Sequence, residues 1–125
     1  MGERPHKKLE AWRKGIELSV RLYRVTADFP TEERFGLTAQ IRRAAVSVPA
    51  NIAEGEARGS KKYFINAIQV ARGSLSELDT HLEIAGQLGY LEQATLQQVL
   101  EEVDKIERIL NGLARSLRSR ARVDS

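Results

Sequence analysis

The sequence predicts an all-α fold, an antiparallel up-down-up-down four-helix bundle formed by a single domain over residues 1–125. Three breaks divide the chain, at Phe29-Pro30-Thr31, Arg58-Gly59-Ser60 and Leu88-Gly89-Tyr90. Between these breaks every segment carries apolar residues at helical spacing, and none shows the alternation of a half-buried strand. The connections are also short, and short connections make successive helices antiparallel neighbours.

The four helices are expected at residues 8–28, 31–57, 60–88 and 92–118. Thr31 is expected to cap the second helix, with Glu32 and Glu33 at its positive end. Ser60 is expected to cap the third helix, and Gly89 to end it in a left-handed conformation. The remaining residues, 119–125, are predicted to form a frayed basic tail.

Helices two, three and four each carry one apolar stripe, which predicts one buried face per helix. The stripe of the fourth helix has the steps of three and four residues typical of bundle packing. The predicted core residues of these helices are Leu37, Ile41, Ala44, Ala45, Val48 and Ile52, then Phe64, Ile68, Ala71, Leu75, Leu78, Leu82 and Ala85, then Leu96, Val99, Val103, Ile106, Leu110, Leu113 and Leu117.

Helix one carries two apolar stripes on nearly opposite sides. The first is assigned to the core and comprises Leu9, Trp12, Ile16, Val20, Tyr23 and Ala27. The second is assigned to an interface with a neighbouring copy and comprises Leu18, Leu22, Val25 and Phe29. The alternative is that a loop or the tail of the same chain covers the second stripe, since monomers rarely leave a large apolar patch in solvent.

Composition excludes several classes of protein. The chain has no cysteine, which excludes disulfide scaffolds, thiol catalysis and thiolate metal sites. Its two histidines are too few and too far apart to suggest a zinc site, so we expect neither a metal nor a cofactor. No apolar run approaches the roughly 20 residues that span a bilayer, and no apolar signal region begins the chain. We therefore expect a soluble, cytoplasmic protein with no membrane partner.

Positive charge is concentrated at one predicted end of the bundle, although the net charge is only +3. This end, the basic pole, combines the start of helix one, the connection between helices two and three, and the end of helix four. Its residues are Arg4, Lys7, Lys8, Arg58, Lys61, Lys62, Arg115, Arg118, Arg120 and Arg122. Two interpretations remain open: these cations complement the helix dipoles and keep the bundle soluble, or they hold the phosphates of RNA or DNA. Because Trp12 and Tyr23 are assigned to the core, few rings remain for base stacking, and electrostatics would dominate such binding.

The opposite end receives Asp28, Glu32, Glu33, Glu83 and Glu92, and is called the acidic end. Among the cations of this region, only Arg34 clearly opposes these carboxylates.

A polar row follows the border of the predicted core on helices two and three. It consists of Gln40, Arg43, Ser47, Asn51 and Glu54 on helix two and Glu77, with Asn66 and His81, on helix three. We interpret it as hydrogen-bonded packing that sets the register of the helices. The catalytic alternative would use Glu77 or Glu54 as a base and Arg43 or Arg72 as an anion holder, but it lacks a nucleophile, a metal set and a phosphate loop. We therefore expect no enzyme.

Five segments together resemble the bacterial 23S ribosomal RNA intervening-sequence proteins. They are residues 9–12 (LEAW), 37–45 (LTAQIRRAA), 47–55 (SVPANIAEG), 71–78 (ARGSLSEL) and 88–91 (LGYL). The resemblance implies a small four-helix bundle that assembles as a ring of five. It also implies kinship with the accessory protein of diversity-generating retroelements, a pentameric barrel whose basic surface binds nucleic acid and a reverse transcriptase.

The sequence thus favours a non-enzymatic homo-oligomer, a pentamer on the resemblance, that binds RNA or a nucleoprotein partner through its basic pole. The alternative is a protein-protein interaction scaffold that does not bind nucleic acid.

Overall fold

The computed structural model describes residues 5–124, with side chains described for all of these except residues 7–8 and 120–124. Four α-helices account for most of these residues: α1 Glu10–Thr26, α2 Leu37–Ala57, α3 Lys61–Gln87 and α4 Gln93–Asp124. Two 3-10 turns, Pro5–Lys8 and Thr31–Glu33, precede α1 and α2. No strand occurs in residues 5–124, so the predicted all-helical fold of four helices is confirmed.

Helix α2 begins six residues later than expected, at Leu37 rather than Thr31. Thr31 starts a separate 3-10 turn, and Glu33 provides the cap, because its Oε1 atom accepts the Leu37 N–H at 3.1 Å. Gly36 permits this contact, since a Cβ atom at position 36 would lie 2.8 Å from the same oxygen. The turn therefore replaces the predicted first turns of the helix.

Both predicted ends of α3 are confirmed. The Ser60 hydroxyl accepts the Tyr63 N–H at 3.5 Å, as an N-cap does. At the other end, Gly89 has a φ of +80°, which favours glycine. The Tyr90 and Gly89 N–H groups donate to the carbonyls of Ala85 and Gly86 at 3.0 and 3.1 Å, the two hydrogen bonds of a Schellman motif.

Helix α4 continues to Asp124, six residues past its predicted end at Arg118. The predicted frayed tail is therefore helical up to residue 124. The physical reason is local, because residues 113–124 contain no glycine or proline and are rich in arginine, leucine and alanine, which are good helix formers.

The core is formed by one face of each helix. The predicted stripes of α2, α3 and α4 are buried, except that Leu37, Phe64 and Leu113 are half-buried. Packing is closest between α2 and α3, where a Cβ atom on Gly55 would lie 2.3 Å from that of Ala67. Side chain size at this crossing therefore sets the distance between the two helices.

The structure buries the second stripe of α1. Of the first stripe, only Leu9 and Trp12 pack against the core, both half-buried, and Ala27 is exposed. Leu18, Leu22 and Phe29 are buried within the subunit and Val25 is half-buried, so their assignment to an interface is wrong. The assignment of Ile16, Val20 and Tyr23 to the core is also wrong, because these residues are exposed, Ile16 by 40% and Val20 by 45%. We call these three residues the exposed α1 stripe.

Small residues beside Leu18 and Leu22 explain why this stripe is the one that is buried. Gly15 allows α1 to approach α2, since its Cβ position lies 3.1 Å from Pro49 Cδ. Ser19 and Thr26 are buried as well, and their hydroxyls donate to the carbonyls of Gly15 and Leu22 at 2.8 and 2.7 Å. These residues look polar or neutral in the sequence, but they extend the packing face because their hydrogen-bonding groups are satisfied locally.

Polar contacts connect each helix with its neighbours. Arg42 Nε donates to Thr26 Oγ1 at 2.9 Å between α2 and α1, and the Ser47 and Ser74 hydroxyls lie 2.7 Å apart between α2 and α3. Between α3 and α4, Arg72 Nε donates to Glu107 Oε1 at 2.8 Å. Arg21 closes the bundle by contacting Glu102 and Gln98 of α4. No helix within residues 5–124 is apolar enough over a sufficient length to cross a membrane.

Candidate nucleic-acid interface

The junction between α2 and α3, residues 58–62, places three cations on the surface. Arg58, Lys61 and Lys62 are all exposed, and Ser60 orders the backbone between them by capping α3. Arg58 also forms an ion pair with Glu54, with 3.0 Å between Nη2 and Oε1. Because both partners are more than half exposed, this pair leaves the arginine accessible to water and to an anion.

Two further cations, Arg115 and Arg118, lie on α4. The Arg72–Glu107 contact joins α3 to α4, and Gly86 of α3 adjoins Leu96 of α4. Lys61 precedes Arg72 by eleven residues, and Arg118 follows Glu107 by eleven residues. Each lies about 16 Å along its own helix from that contact. Arg115 and Arg118 are exposed.

The 3-10 turn Pro5–Lys8 adjoins the same junction. Pro5 and His6 line a groove of about 340 Å³ together with Glu56, Ala57 and Gly59. Lys7 and Lys8 therefore belong to a turn beside the α2–α3 junction. The structure does not describe their side chains or those of Arg120 and Arg122. Arg4 precedes the described residues.

An aromatic ring stands among these cations. Tyr63 is 54% exposed in the first turn of α3, and the Arg58 guanidinium carbon lies 5.2 Å from its ring centre. Sequence reasoning missed this residue because it considered the tryptophan and the tyrosine of α1. The sequence did carry a signal that Tyr63 is exposed, because it lies outside the apolar stripe of α3, three residues after the capping Ser60.

The acidic end is organised around Glu33. Its Oε2 atom accepts a hydrogen bond from the Tyr90 hydroxyl at 3.0 Å, while Oε1 caps α2. Hydrogen bonding to the Glu33 carboxylate, and its negative charge, raise the pKa of Tyr90 above the usual value of 10.0. Phe35, which is 85% exposed, follows this turn and lies beside the Arg34 guanidinium, 5.2 Å from the ring centre.

The polar row divides into separate contacts. Asn51 Nδ2 donates to the Ser47 carbonyl at 2.8 Å, and Ser47 contacts Ser74 of α3, so these three residues connect the helices. Glu54 pairs with Arg58, and the Glu77 carboxylate lies 3.2 Å from His81 Nε2.

The remaining members of the row differ in their exposure to solvent. Gln40 is half-buried and Arg43 is exposed. Arg72, one of the two suggested anion holders, contacts Glu107 and Gln69. Within the described part of the chain, no group of three or more histidine, cysteine, aspartate or glutamate side chains is arranged to hold a metal ion.

Comparison with known protein families shows to which family this helical chain belongs. The sequence profile of the 23S rRNA-intervening sequence protein matches residues 7–112. The chain belongs to the 23S rRNA-intervening sequence protein family. No curated protein sequence matches it.

A solved structure shares the fold of this family member. It is the crystal structure of a protein with unknown function from the S23 ribosomal protein family of Bacteroides thetaiotaomicron VPI-5482. The two chains are 24% identical, with a TM-score of 0.78, and the match covers 84% of this chain and 95% of the other. At this identity the likeness shows a common fold.

The family match also divides the basic pole. Arg58, Lys61 and Lys62 lie inside the matched residues, whereas Arg115 and Arg118 follow the end of the match at residue 112. The α4 cations thus lie outside the residues that the family profile matches.

Proposed function

We propose that this chain is a non-enzymatic homo-oligomer that binds RNA, alone or within a nucleoprotein, through its basic pole. The observation that carries the proposal is the set of exposed cations from two separate segments at one end of the bundle, Arg58 and Lys62 at the α2–α3 junction and Arg115 and Arg118 on α4. Basic side chains bind nucleic acid by displacing its condensed counterions. The family name, which refers to 23S rRNA, agrees with an RNA partner.

The charge arrangement depends on an up-down-up-down order of the helices. Contacts between positions that run in opposite directions support this order, as at Ser47–Ser74 and Gly55–Ala67 between α2 and α3. In such a bundle the α2–α3 junction and the carboxyl end of α4 lie together, and the acidic end lies opposite. Nucleic acid would therefore approach from one side only.

Assembly would multiply the modest charge of one subunit, and the exposed α1 stripe supports it. Tyr23 contacts Arg42 of α2, its ring centre lying 4.4 Å from the guanidinium carbon, while Gly15 adjoins Pro49. Val20 of α1 and Val46 of α2 each lie between the residues of these two contacts, and both are exposed. Contact of these apolar side chains with other copies would remove them from water. We propose five copies in a ring, as the resemblance implies, and a ring brings its basic poles to one polyanion together.

The test is the salt dependence of RNA binding. Affinity of the parent protein for RNA is expected to fall linearly on a log-log plot between about 50 and about 200 mM salt. The Arg58→Gln, Lys62→Gln, Arg118→Gln variant should bind more weakly, with a slope smaller by up to about 2 for each contacting subunit. Arg34→Gln is the matched control, because it removes an exposed arginine at the acidic end, and it should bind as the parent does.

A specific observation favours the alternative, a scaffold that binds only protein. The exposed α1 stripe is an apolar surface suited to protein contacts, and Arg58 already has a carboxylate partner in Glu54. If the parent protein binds no RNA at about 50 mM salt, the scaffold is correct and the RNA proposal is wrong. If the triple variant and the parent bind RNA equally, the basic pole is not the site.

A further inference from the structure

Tyr63 differs from the cations around it because its ring can contact a base rather than a phosphate. The residue is 54% exposed and lies in the first turn of α3, next to Lys62. Its backbone is fixed by the hydrogen bond from its N–H to the Ser60 hydroxyl. The ring is therefore presented to solvent from an ordered position within the basic pole.

Arg58 further orders this ring. Its guanidinium carbon lies 5.2 Å from the Tyr63 ring centre, within the range of a cation–π contact, and its Nη2 atom is paired with Glu54 at 3.0 Å. Arginine and an aromatic ring, side by side and exposed, are the two planar groups on which unpaired bases stack. Because the pair with Glu54 is exposed, the Arg58 guanidinium stays accessible to a base.

The other exposed rings lack this setting. Phe35 also lies beside an arginine, but it belongs to the acidic end, next to Glu32 and Glu33. Tyr23 lies beside Arg42 on the exposed α1 stripe, which is assigned above to contacts between copies. Among the aromatic side chains described, Tyr63 alone combines exposure with a place in the basic pole.

We infer that Tyr63 is a base-stacking residue and that the nucleic acid held at the basic pole is single-stranded or contains unpaired bases. This inference rests on the proposed RNA-binding function and deepens it by naming the class of substrate. In a duplex the faces of the bases are covered by their neighbours, so a surface ring has nothing to stack on. In a single strand every base offers a face, and the flanking lysine and arginine side chains contact the backbone phosphates.

The experiment compares two RNA probes and three variants of the full chain. The probes are an oligouridine strand of about 20 nucleotides carrying one 2-aminopurine, because uracil bases stack little on one another, and an RNA duplex of the same length. Tyr63→Ala should weaken binding of the single strand roughly fivefold to a hundredfold, while the salt slope stays unchanged because no cation is removed. Binding of the duplex should be unaffected.

Two control variants separate stacking from other effects. Tyr63→Phe keeps the ring and should retain the affinity of the parent within about twofold. Phe35→Ala removes a ring that is even more exposed and also lies beside an arginine, and it should change nothing. The parent and Tyr63→Phe should also quench the 2-aminopurine fluorescence on binding, and Tyr63→Ala should not.

The outcomes distinguish this inference from the proposed function. If Tyr63→Ala binds the single strand as tightly as the parent, the stacking role is wrong, whereas salt-dependent binding at the basic pole stands. If the parent prefers the duplex, the assigned substrate class is wrong. If the parent binds neither probe at about 50 mM salt, the RNA-binding function itself fails, and this inference fails with it.

Discussion

At the scale of single residues, the fold depends on places where an absent side chain allows two helices to meet. Gly55 of α2 faces Ala67 of α3, and Gly86 of α3 faces Leu96 of α4, where a Cβ atom would lie 2.6 Å from the leucine Cδ2. The first approach is between two short, stiff groups, and the second is to the end of a flexible side chain. Only the first is therefore expected to be intolerant of a methyl group.

Replacing Gly55 by alanine should destabilise the subunit. The new Cβ would lie 2.3 Å from the Ala67 Cβ, so the helices must separate, at a cost of about 1 to 3 kcal/mol in the free energy of unfolding. Gly112→Ala is the matched control, because no atom lies within 4 Å of its Cβ position. It should stabilise the subunit by about 0.5 to 1 kcal/mol through helix propensity. Chemical denaturation of both variants measures this, and equal effects would contradict the close packing.

The hydrogen bond between Tyr90 and Glu33 predicts a loss of stability at high pH. The pKa of Tyr90 is raised in the folded state, so the folded protein holds the phenol proton more tightly than the unfolded chain does. The contribution is fully present below the unfolded value of 10.0 and is lost as the pH rises through the higher folded value. The free energy of unfolding of the parent should therefore exceed that of Tyr90→Phe at about pH 8, and the difference should shrink above pH 10.0. A difference that stays constant across this range would show that the hydrogen bond does not contribute.

At the scale of the helices, α1 has the decisive feature, since it carries two apolar stripes and buries only one. The buried stripe is the one accompanied by Ala11, Gly15 and Ser19, whose small side chains allow close approach to α2. The other stripe has larger neighbours and remains in solvent within the subunit. Substitutions on the two stripes should therefore have different consequences.

Introducing a charge on the buried stripe should unfold the subunit. Leu18 lies in the core, where burying an unpaired carboxyl group and losing the packing of the leucine together cost a large part of the small stability of a domain. Leu18→Glu is expected to lose the cooperative thermal transition of the parent, as measured by circular dichroism at 222 nm. Retained helicity with an unchanged transition would place Leu18 on the surface, contrary to the packing described above.

At the scale of the whole molecule, positive charge, negative charge and apolar side chains occupy different parts of the surface. Exposed cations lie at the α2–α3 junction and on the later turns of α4, Glu32 and Glu33 lie in the turn before α2, and exposed apolar side chains lie along α1. A ring built through these apolar side chains would keep the basic poles on one side. Assembly and RNA binding would then use separate surfaces, so substitutions on one surface should abolish one activity and leave the other.

Charges on the exposed α1 stripe should dissociate the oligomer and leave the subunit folded. Both Ile16 and Val20 are accessible in the subunit, so Ile16→Glu, Val20→Glu adds no buried charge to the core. Multi-angle light scattering should give a mass near five times 14.0 kDa for the parent and near 14.0 kDa for the variant. Circular dichroism should show similar helicity for both. A parent that is monomeric at micromolar concentration would overturn the assembly.

The sequence by itself determined the helical class, the number of helices and both ends of α3. These features depend on local causes, namely the spacing of apolar residues, the Ser60 hydroxyl and the left-handed Gly89, and local causes are visible in a linear pattern. The buried faces of α2, α3 and α4 could be predicted for the same reason, since each carries a single stripe.

Only the tertiary structure decided which face of α1 is buried, where α2 begins and which ring accompanies the basic pole. The apolar spacing of α1 fits either face equally, and the choice depends on how closely Gly15 allows Pro49 to approach. The start of α2 depends on Glu33, which caps the helix with one oxygen and binds Tyr90, 57 residues away, with the other. Tyr63 became a candidate only when packing left its ring in solvent beside Arg58. Each of these outcomes is a contact between separate segments, and hydrophobic periodicity within one segment carries no information about such contacts.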